Sequence, residues 1–183
     1  MLSQAKSPPG PAEIRRAGKQ PLFAPDALSQ AVDYGRSDAE MILPHRGAFL
    51  FVERIFHLDL EAGRIAGTRT LSAGDPVFAD HFPGTPVYPG VLLVETIGQH
   101  ALCLADFQAR GSSGIDRGDS PTPVRLTRVR DALFLAEARP GDQLTLLAEA
   151  YDDGLTFLAL GQALRGDQVV CVCLFEAMIG DTL

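Results

Sequence analysis

The sequence predicts an α+β fold in which an antiparallel β-sheet wraps one long apolar helix. Pro89 and Gly90 open a segment, running to about Gln108, in which most side chains are apolar. Proline is favoured in the first turn of a helix because its missing N–H would be unpaired there. Around this segment lie several stretches rich in β-branched and aromatic residues, separated by glycine-containing turns, which is typical of antiparallel strands. A helix that is apolar nearly all round must be buried, so the sheet has to curve around it.

An arm, a short helix and two strands are predicted before the long helix. Residues 1–36 are rich in Pro, Gly and Ala without a sustained period, so we expect a flexible or loosely packed arm, followed by a domain of residues 37–183. Ser37 and Glu40 have the spacing of a capping box and predict a short helix that ends before Pro44. The two strands that follow are residues 48–58 and 64–71.

A loop and four strands are predicted after the long helix. Residues 111–123 contain several Gly, Ser and Pro, and a loop of this length is a candidate lid. Residues 152–154 and 165–167 have the sequences Asp-Asp-Gly and Arg-Gly-Asp, which predict hairpin turns. The four strands are residues 124–136, 143–151, 155–162 and 168–178.

The composition argues against several functional classes. A net charge of −7 is not that of a general nucleic-acid binder. No apolar run approaches the length of a membrane span, and the N-terminus lacks the apolar core of a secretory signal. Cys103, Cys171 and Cys173 lie in apolar surroundings without metal-type spacing. We interpret them as small buried side chains in a reducing, cytoplasmic setting.

Two ionisable residues at the start of the long helix carry the candidate chemistry. His81 lies in a turn rich in Pro and Gly, and Glu95 lies within the aliphatic part of the helix. A carboxylate in such a run is costly unless it is paired, protonated or used. An imidazole and a carboxylic acid beside an apolar cavity can remove a proton from one atom and donate one to another. The alternatives are a turn-fixing hydrogen bond for His81 and an ion pair for Glu95.

The segment from His81 to Glu95 resembles the active-site signature of the FabZ-type 3-hydroxyacyl-(acyl-carrier-protein) dehydratases. That signature is His-Phe-Pro-Gly-x-Pro-Val-x-Pro-Gly followed by an aliphatic helix with Glu, and this sequence meets every fixed position. An ordered match of this length is far more specific than a short motif. Further matches extend the resemblance over roughly residues 40 to 180 and include Gln99, Leu43-Pro44-His45-Arg46 and Pro140-Gly141-Asp142-Gln143-Leu144.

The sequence departs from the family pattern at three places. Asp80 stands where the family usually has Gly, and Tyr88 stands where it often has Met. Residues 133–138 lack the basic side chains with which the family helps to dock an acidic carrier protein. The predicted chemistry is unaffected, but it stays open whether the substrate is bound to acyl carrier protein or to CoA.

The resemblance implies a hotdog fold and the conversion of (3R)-3-hydroxyacyl thioesters into trans-2-enoyl thioesters in fatty-acid or related acyl-chain biosynthesis, without a metal or organic cofactor. It implies that His81 is the general base and that Glu95, from the partner subunit, is the general acid. The N–H of Gly90, at a helix N-terminus, is the candidate oxyanion donor. The family's assemblies imply a homodimer or a hexamer. The other candidate substrate contacts are Phe82, Tyr88, Pro89, Val91 and Gln99.

Carrier docking and the reaction class each leave alternatives open. Arg125, Arg128 and Arg130 lie along one predicted strand and form a candidate docking patch; a solvated face is the other interpretation. A FabA-like dehydratase/isomerase would carry Asp where this chain has Glu95. A hotdog thioesterase would need a positioned water, and a non-catalytic acyl-binding or assembly subunit would keep the fold alone. The missing basic stretch, Tyr88 and the arm give that last alternative its weight.

Overall fold

The computed structural model describes residues 6–116, 118, 120–152 and 156–180. Two single-turn 3₁₀ helices, Pro25–Ala27 and Gly47–Phe49, accompany the main elements. The main elements are α1 Pro11–Ala17, β1 Gln30–Gly35, α2 Arg36–Ile42, β2 Arg54–Asp59, β3 Arg64–Thr70, α3 Val77–Asp80, α4 Gly90–Arg110, β4 Val124–Phe134, β5 Gln143–Asp152, β6 Phe157–Arg165 and β7 Gln168–Ile179.

The strands form one seven-stranded sheet in the order β1-β2-β3-β5-β6-β7-β4. Each pair of neighbouring strands is antiparallel, and β1 and β4 are the edges. Helix α4 packs against β3, β5, β6, β7 and β4 on one face of the sheet. The predicted architecture, a long helix wrapped by an antiparallel sheet, is confirmed.

The long helix begins and ends where its sequence provides caps. The carbonyl of Pro89 accepts the N–H groups of Leu92 and Leu93. At the other end Gly111 adopts a left-handed conformation with φ +61° and donates to the carbonyl of Gln108, a common way for a helix to stop. Close approach to the sheet needs a glycine, because a Cβ on Gly161 would lie 2.2 Å from the side chain of Ile97.

By length and composition α4 could cross a membrane, which corrects the expectation that no apolar run reaches that length. However, 67% of its most apolar 18-residue window is buried inside the domain. Such burial is typical of the core helix of a globular fold.

Two elements before α4 differ in detail from their predictions. The strand predicted from residue 48 begins only at Arg54, because the backbone N–H of Phe51 donates to the side chain of Gln99 rather than to a neighbouring strand. Helix α2 forms as predicted, but Asp38, not Ser37, provides its side-chain cap by accepting the N–H of Gly35 at 2.8 Å. The predicted turn at residues 152–154 lies largely outside the described residues. The strands predicted after α4 are otherwise found with small shifts at their ends.

The arm differs most from its prediction, because residues 6–35 pack against the domain. Its β1 strand pairs with β2, and α1 with the loop after it covers the outer face of the sheet, opposite α4. The reason lies in the strands themselves. In β6 every residue from Leu158 to Leu164 is buried, and a strand apolar on both faces needs cover on both sides. The outer cluster contains Ile14, Ala17, Phe23, Leu28, Ala66, Leu147, Leu158, Leu160, Leu164, Val169, Val172 and Leu174.

A buried glutamine fastens the arm to the sheet. The side-chain amide of Gln162, fully buried in β6, donates from Nε2 to the carbonyls of Ala17 and Gln20. Its Oε1 accepts the N–H of Leu22 at 2.7 Å. Backbone groups of the arm that would otherwise be buried without partners are therefore paired.

An ion network holds the beginning of the arm. Glu149 on β5 is buried and accepts from Arg64 Nε at 2.8 Å and from the hydroxyl of Tyr151 at 2.7 Å, and Lys6 of the arm pairs with the same carboxylate. Burial by itself raises the pKa of Glu149, but the bonds from Lys6, Tyr151 and Arg64 outweigh it, so the pKa lies below its usual value. Glu149 therefore keeps the negative charge that pairs with Lys6 and Arg64.

His100 is a buried titratable residue in the interior of the fold. Its ring in α4 lies against β3 at Gly67, where a Cβ would be 2.5 Å from Cε1 of the imidazole. Neither ring nitrogen makes a well-formed hydrogen bond to the described part of the chain. Burial lowers the pKa of His100 to about 4, and the carbonyls of Ile65 and Leu146 oppose this only in part. The folded protein therefore holds this ring neutral.

We expect Gln162→Leu to lower the free energy of unfolding by at least about 3 kcal/mol, because three backbone groups of the arm lose their partner and each costs about 1–3 kcal/mol. Gln168→Leu, at an exposed position at the start of β7, is the matched control and should change it by less than about 0.5 kcal/mol. Urea unfolding measures both. Similar values for the two variants would show that Gln162 does not hold the arm.

We expect acid to destabilise the protein through His100. Its pKa is about 4 when folded, against an ordinary value of 6.5 for histidine. The unfolded chain therefore takes up the proton first, and stability is lost as the pH falls from about 6.5 to about 4, by roughly 3 kcal/mol in total. Unfolding free energies at pH 7 and pH 5 should differ less in His100→Leu than in the wild type, by about 2 kcal/mol. Parallel pH dependences would contradict this assignment.

Candidate active site

His81 is held in a defined orientation by the turn that contains it. Its N–H donates to the carbonyl of Val77 in α3, and its carbonyl accepts the N–H of Val87. Nδ1 of the ring lies 2.8 Å from the carbonyl oxygen of Val87. A carbonyl can only accept, so Nδ1 carries the proton and the neutral ring keeps a lone pair on Nε2. The turn-fixing bond and a role as base are therefore compatible.

Gly90 combines a free donor with a packing requirement. It is the first residue of α4, where backbone N–H groups have no partner within the helix. A Cβ on Gly90 would lie 2.7 Å from the ring of Phe134 on β4. Glycine therefore lets this ring pack against the N-terminus of α4, while the helix dipole there favours a developing negative charge.

Gln99 fixes the orientation of Glu95. Its Oε1 accepts the N–H of Phe51 at 2.7 Å, and its Nε2 donates to the carbonyl of Phe49 at 2.8 Å. Because one partner is a donor and the other an acceptor, they determine which atom of the amide is the oxygen and which is the nitrogen. Nε2 therefore also donates to Oε1 of Glu95, at 2.8 Å. Gln99 is therefore buried and holds the carboxyl group of Glu95 in place. Its predicted role as a substrate contact stays a prediction.

His45 lies beside the same carboxyl group. Its Nε2 is 3.5 Å from Oε1 of Glu95, and its Nδ1 is buried without a hydrogen-bond partner in the described chain. Burial lowers the pKa of His45, Glu95 raises it, and Arg46 lowers it, with a net lowering. In the sequence, His45 is marked by the Leu-Pro-His-Arg motif.

A cavity of about 120 Å³ opens next to Glu95. Polar groups from Glu95, His45 and Gln99 lie at one part of its wall, and the rest of the wall is largely apolar. The lining residues are Pro44, His45, Val94, Glu95, Gly98, Gln99, Leu102, Val124, Leu126, Phe175 and Ala177.

No hydrogen bond or ion pair joins His81 to Glu95 among the described residues of one chain. The described contacts of the His81 side chain are to Val87 and Phe82, whereas Glu95 contacts Gln99 and His45, and His81 does not line the cavity. Gly90 and Glu95 are five residues apart along α4, which separates them by about 7.5 Å along the helix axis.

Tyr88 is not among the residues that line the cavity, and its role as a substrate contact stays a prediction. Its side chain is almost fully buried, its hydroxyl accepts from Nη2 of Arg69 at 2.8 Å, and its N–H donates to the carbonyl of Ala138. The guanidinium of Arg69 stacks over the ring of Phe51, 4.1 Å from its centroid. Tyr88 therefore joins the turn before α4 to β3 and to the segment that bears Phe51.

The other candidate residues lie at or near the surface. Phe82 is 57% exposed and Val91 73% exposed, so both are available to a substrate or a second copy. In the candidate docking patch Arg125 and Arg128 are exposed, whereas Arg130 pairs with Glu176 of β7. Asp80 is exposed, and no hydrogen bond joins it to His81 among the described residues. Pro89 caps α4, and the exposed apolar side chains near this end include Phe82, Val91, Phe134 and Leu135.

Ser113 and Gly114 of the predicted lid are hydrogen-bonded near the C-terminal end of α4. The hydroxyl of Tyr34 donates to the carbonyl of Ser113 at 2.7 Å, and Arg110 donates to the carbonyl of Gly114 at 2.8 Å. Both anchors lie at the C-terminal end of the helix, whereas His81 precedes its N-terminus. The described part of this loop therefore does not cover His81.

Residues 43–173 match the family model of the FabA-like domain. The chain belongs to this family. It is 35% identical over 138 residues to the 3-hydroxyacyl-(acyl-carrier-protein) dehydratase FabZ of Chlamydia trachomatis serovar L2, covering 74% of this chain and 86% of that protein. It is also 36% identical over 107 residues to the FabZ of Xanthomonas oryzae pv. oryzae, covering 58% and 66%. The resemblance seen in the sequence is confirmed.

Solved structures share the hotdog fold of this FabA-like chain at low sequence identity. The dehydratase heterocomplex ApeI:P from Xenorhabdus doucetiae superposes with a TM-score of 0.61 at 14% identity, covering 79% of this chain and 91% of that one. An uncharacterised protein from Pyrococcus horikoshii gives a TM-score of 0.55 at 14% identity, covering 82% and 96%. The arm before residue 43 lies outside the family match.

We expect Tyr88→Phe to lower the free energy of unfolding by about 1–3 kcal/mol, because the buried guanidinium of Arg69 loses its acceptor. Tyr34→Phe is the matched control. Its hydroxyl donates to the carbonyl of Ser113 in a partly exposed place, where water can replace it, so about 0.5 kcal/mol is expected.

The double variant Tyr88→Phe with Arg69→Met removes the acceptor and the donor together. Its cost, measured by urea unfolding, should be less than the sum of the two single substitutions, because no buried polar group is left unpaired. Additive costs would contradict a coupled pair.

Proposed function

We propose that this protein dehydrates (3R)-3-hydroxyacyl thioesters to trans-2-enoyl thioesters. The observation that carries the proposal is the pair of oriented groups on the family signature. His81 presents Nε2 because Val87 holds Nδ1, and Glu95 is aimed by Gln99 at the edge of an apolar cavity. The FabZ relatives, which are named 3-hydroxyacyl-(acyl-carrier-protein) dehydratases, support this reaction.

The reaction needs one proton removed and one donated. Nε2 of His81 takes the proton from C2, and the electron pair of that C–H bond becomes the C2–C3 double bond as the C3–O bond breaks. Glu95 donates a proton to the departing hydroxyl, which leaves as water. The thioester oxygen gains negative charge on the way, and the N–H of Gly90 at the start of α4 is suitably placed on the signature to stabilise it.

The complete site requires a second copy of the chain, with His81 of one subunit facing Glu95 of the partner subunit. The separate contact sets of the two residues support this arrangement. So does β4, a long edge strand with exposed Leu126, Val129 and Phe134, since an unpaired apolar edge invites pairing with another chain. We therefore propose a homodimer, and the hexamer stays a prediction from the family.

The carrier and the cellular setting are proposed at a coarser level. The names of the FabZ relatives support acyl carrier protein as the carrier, with CoA thioesters as the alternative, because residues 133–138 lack the family's basic side chains. Arg125, Arg128 and Arg130 of the candidate docking patch are all exposed, and Arg130 is paired with Glu176. A cytoplasmic location stays a prediction, supported by three buried free cysteines.

We expect His81→Ala and Glu95→Gln each to lower kcat about 10²- to 10⁴-fold, the usual contribution of a general acid or base. Turnover is followed through the enoyl absorbance in hydration of a crotonyl thioester, on the carrier-protein and the CoA forms. No activity in the wild-type protein with either carrier or with longer chains would favour the non-catalytic acyl-binding subunit. Hydrolysis of the thioester without hydration would favour a thioesterase.

Dimers with a different tag on each subunit test the shared site. A dimer of one His81→Ala subunit and one Glu95→Gln subunit should regain about half of the wild-type activity, because one of its two sites is intact. The matched control pairs a wild-type subunit with one that carries both substitutions, and it should be inactive. If each chain instead held a whole site, the dimer of the two single variants would be inactive, and the dimer with one wild-type subunit would keep about half of the activity.

A further inference from the structure

Arg69 is a buried cation near the end of β3, with an exposed fraction of only 8%. None of the ion pairs among the described residues includes it, and its hydrogen bonds go to the neutral hydroxyls of Tyr88 and Thr96. Burial lowers the pKa of Arg69, and Tyr88, Asp75 and Glu53 oppose this only in part. A buried charge without a countercharge is costly, so an arginine at this position calls for a reason.

The first contact of Arg69 leads to the turn that carries His81. Its Nη2 donates to the hydroxyl of Tyr88 at 2.8 Å. Tyr88 directly follows Val87, whose carbonyl oxygen lies 2.8 Å from Nδ1 of His81, and it precedes by two residues Gly90, the first residue of α4. Because the backbone is continuous, a fixed Tyr88 side chain restrains both the acceptor that orients the imidazole and the candidate oxyanion donor.

The second contact of Arg69 leads to the segment that holds Glu95. The guanidinium stacks over the ring of Phe51, 4.1 Å from its centroid. The backbone N–H of Phe51 donates to Oε1 of Gln99 at 2.7 Å, and Nε2 of Gln99 donates to the carboxyl group of Glu95. A displacement of Phe51 would therefore shift the amide that orients this carboxyl group.

We propose that Arg69 is a positioning residue that holds the base and the acid of one chain in place through Tyr88 and Phe51, an inference that rests on the dehydratase function proposed above. A planar guanidinium can do both at once, because its edge donates a hydrogen bond while its face lies on an aromatic ring. A displacement of a catalytic group by about 1 Å can cost about 100-fold in rate. The effect of Arg69 is therefore on kcat.

Three substitutions separate the two contacts. Tyr88→Phe removes the hydrogen bond and leaves the guanidinium on Phe51. Arg69→Lys keeps a charged donor for Tyr88 but lacks the planar group that stacks on Phe51, and Arg69→Met removes both contacts. Arg64→Met is the matched control, because Arg64 lies on the same strand but pairs with Glu149 on the outer face of the sheet.

Nuclear magnetic resonance of the ¹⁵N-labelled protein measures each contact without turnover. The two ring nitrogens of His81 report its tautomer, and deuterium exchange of the Phe51 N–H reports its bond to Gln99. Tyr88→Phe should mix the two tautomers and leave the exchange at Phe51 within about threefold of the wild type. Arg69→Lys should keep one tautomer and speed this exchange by about tenfold or more. Arg69→Met should show both changes.

Exchange at Phe51 is measured relative to the amides of β6, so that a general loss of stability is not mistaken for a local one. Arg64→Met should show one tautomer of His81 and the wild-type ratio of exchange rates. If it reproduces the changes seen in Arg69→Met, the effect is a general loss of packing and the proposal fails.

Kinetics on a 3-hydroxyacyl carrier thioester test the consequence for the reaction. Arg69→Met should lower kcat about 10- to 100-fold and keep KM within about threefold, because an interaction made in the transition state is lost and ground-state binding is kept. Tyr88→Phe and Arg69→Lys should fall between this variant and the wild type, and Arg64→Met should keep kcat within about twofold. A raised KM with an unchanged kcat in Arg69→Met would overturn the proposal.

The spectroscopic result separates this inference from the proposed reaction. Mixed tautomers and faster exchange in Arg69→Met, in a protein without any turnover, would uphold the positioning contacts and overturn the dehydratase function. A single tautomer and unchanged exchange in that variant would overturn the positioning role even if the wild type is an active dehydratase. If Arg69→Met does not fold, Tyr88→Phe and Arg69→Lys decide, and the proposal fails if either leaves its own contact unchanged.

Discussion

The burial of α4 is the constraint on which the rest of the structure depends. A helix enclosed by a sheet has no water with which to pair its polar side chains, so each must find a partner in the fold. Gln99 pairs with the backbone at Phe49 and Phe51, and the hydroxyl of Thr96 donates to the carbonyl of Leu92. His100 lacks well-formed bonds and is neutral instead. Glu95 accepts a hydrogen bond from Gln99, but its carboxyl group also lines the cavity.

The burial of α4 by the sheet also explains why the opposite, outer face of the sheet has to be covered. The central strands bury apolar residues toward α4 and, in alternation, toward the opposite face, as Ala159 and Leu160 do in β6. An outer face of this kind would be a large exposed apolar patch if it were left open. The arm covers it, and Gln162 and Glu149 supply the polar contacts that place the arm in one position. The arm is thus part of the domain's core.

The sequence predicted best those features that depend on local patterns. The turn at His81, the start of α4 and most strands follow from the positions of Pro and Gly and from alternation, all of which act over a few residues. The arm was predicted poorly because its apolar residues, such as Ile14 and Phe23, are too sparse to show a period. They become meaningful only against strands more than a hundred residues away.

Burial of particular site residues could not be predicted, for a related reason. Spacing places Gln99 one turn after Glu95 but does not reveal that the loop bearing Phe49 and Phe51 supplies its other partners. Tyr88 lies within the family signature, yet its side chain is buried and accepts a hydrogen bond from Arg69, nineteen residues earlier on β3. In both cases a long-range polar contact decides the direction of the side chain.

The two halves of the candidate site are each organised within a single chain. Val87 fixes the tautomer of His81, while Gln99 fixes the carboxyl group of Glu95, and neither arrangement needs the other. Association of two copies would therefore join groups whose side chains are already ordered, so little rotamer entropy would be lost at the moment of assembly. Preorganised groups of this kind are also what catalysis requires, because no reorientation is then needed during the reaction. The same contacts that satisfy a buried helix thus preorganise each chain for the site that we propose between two copies.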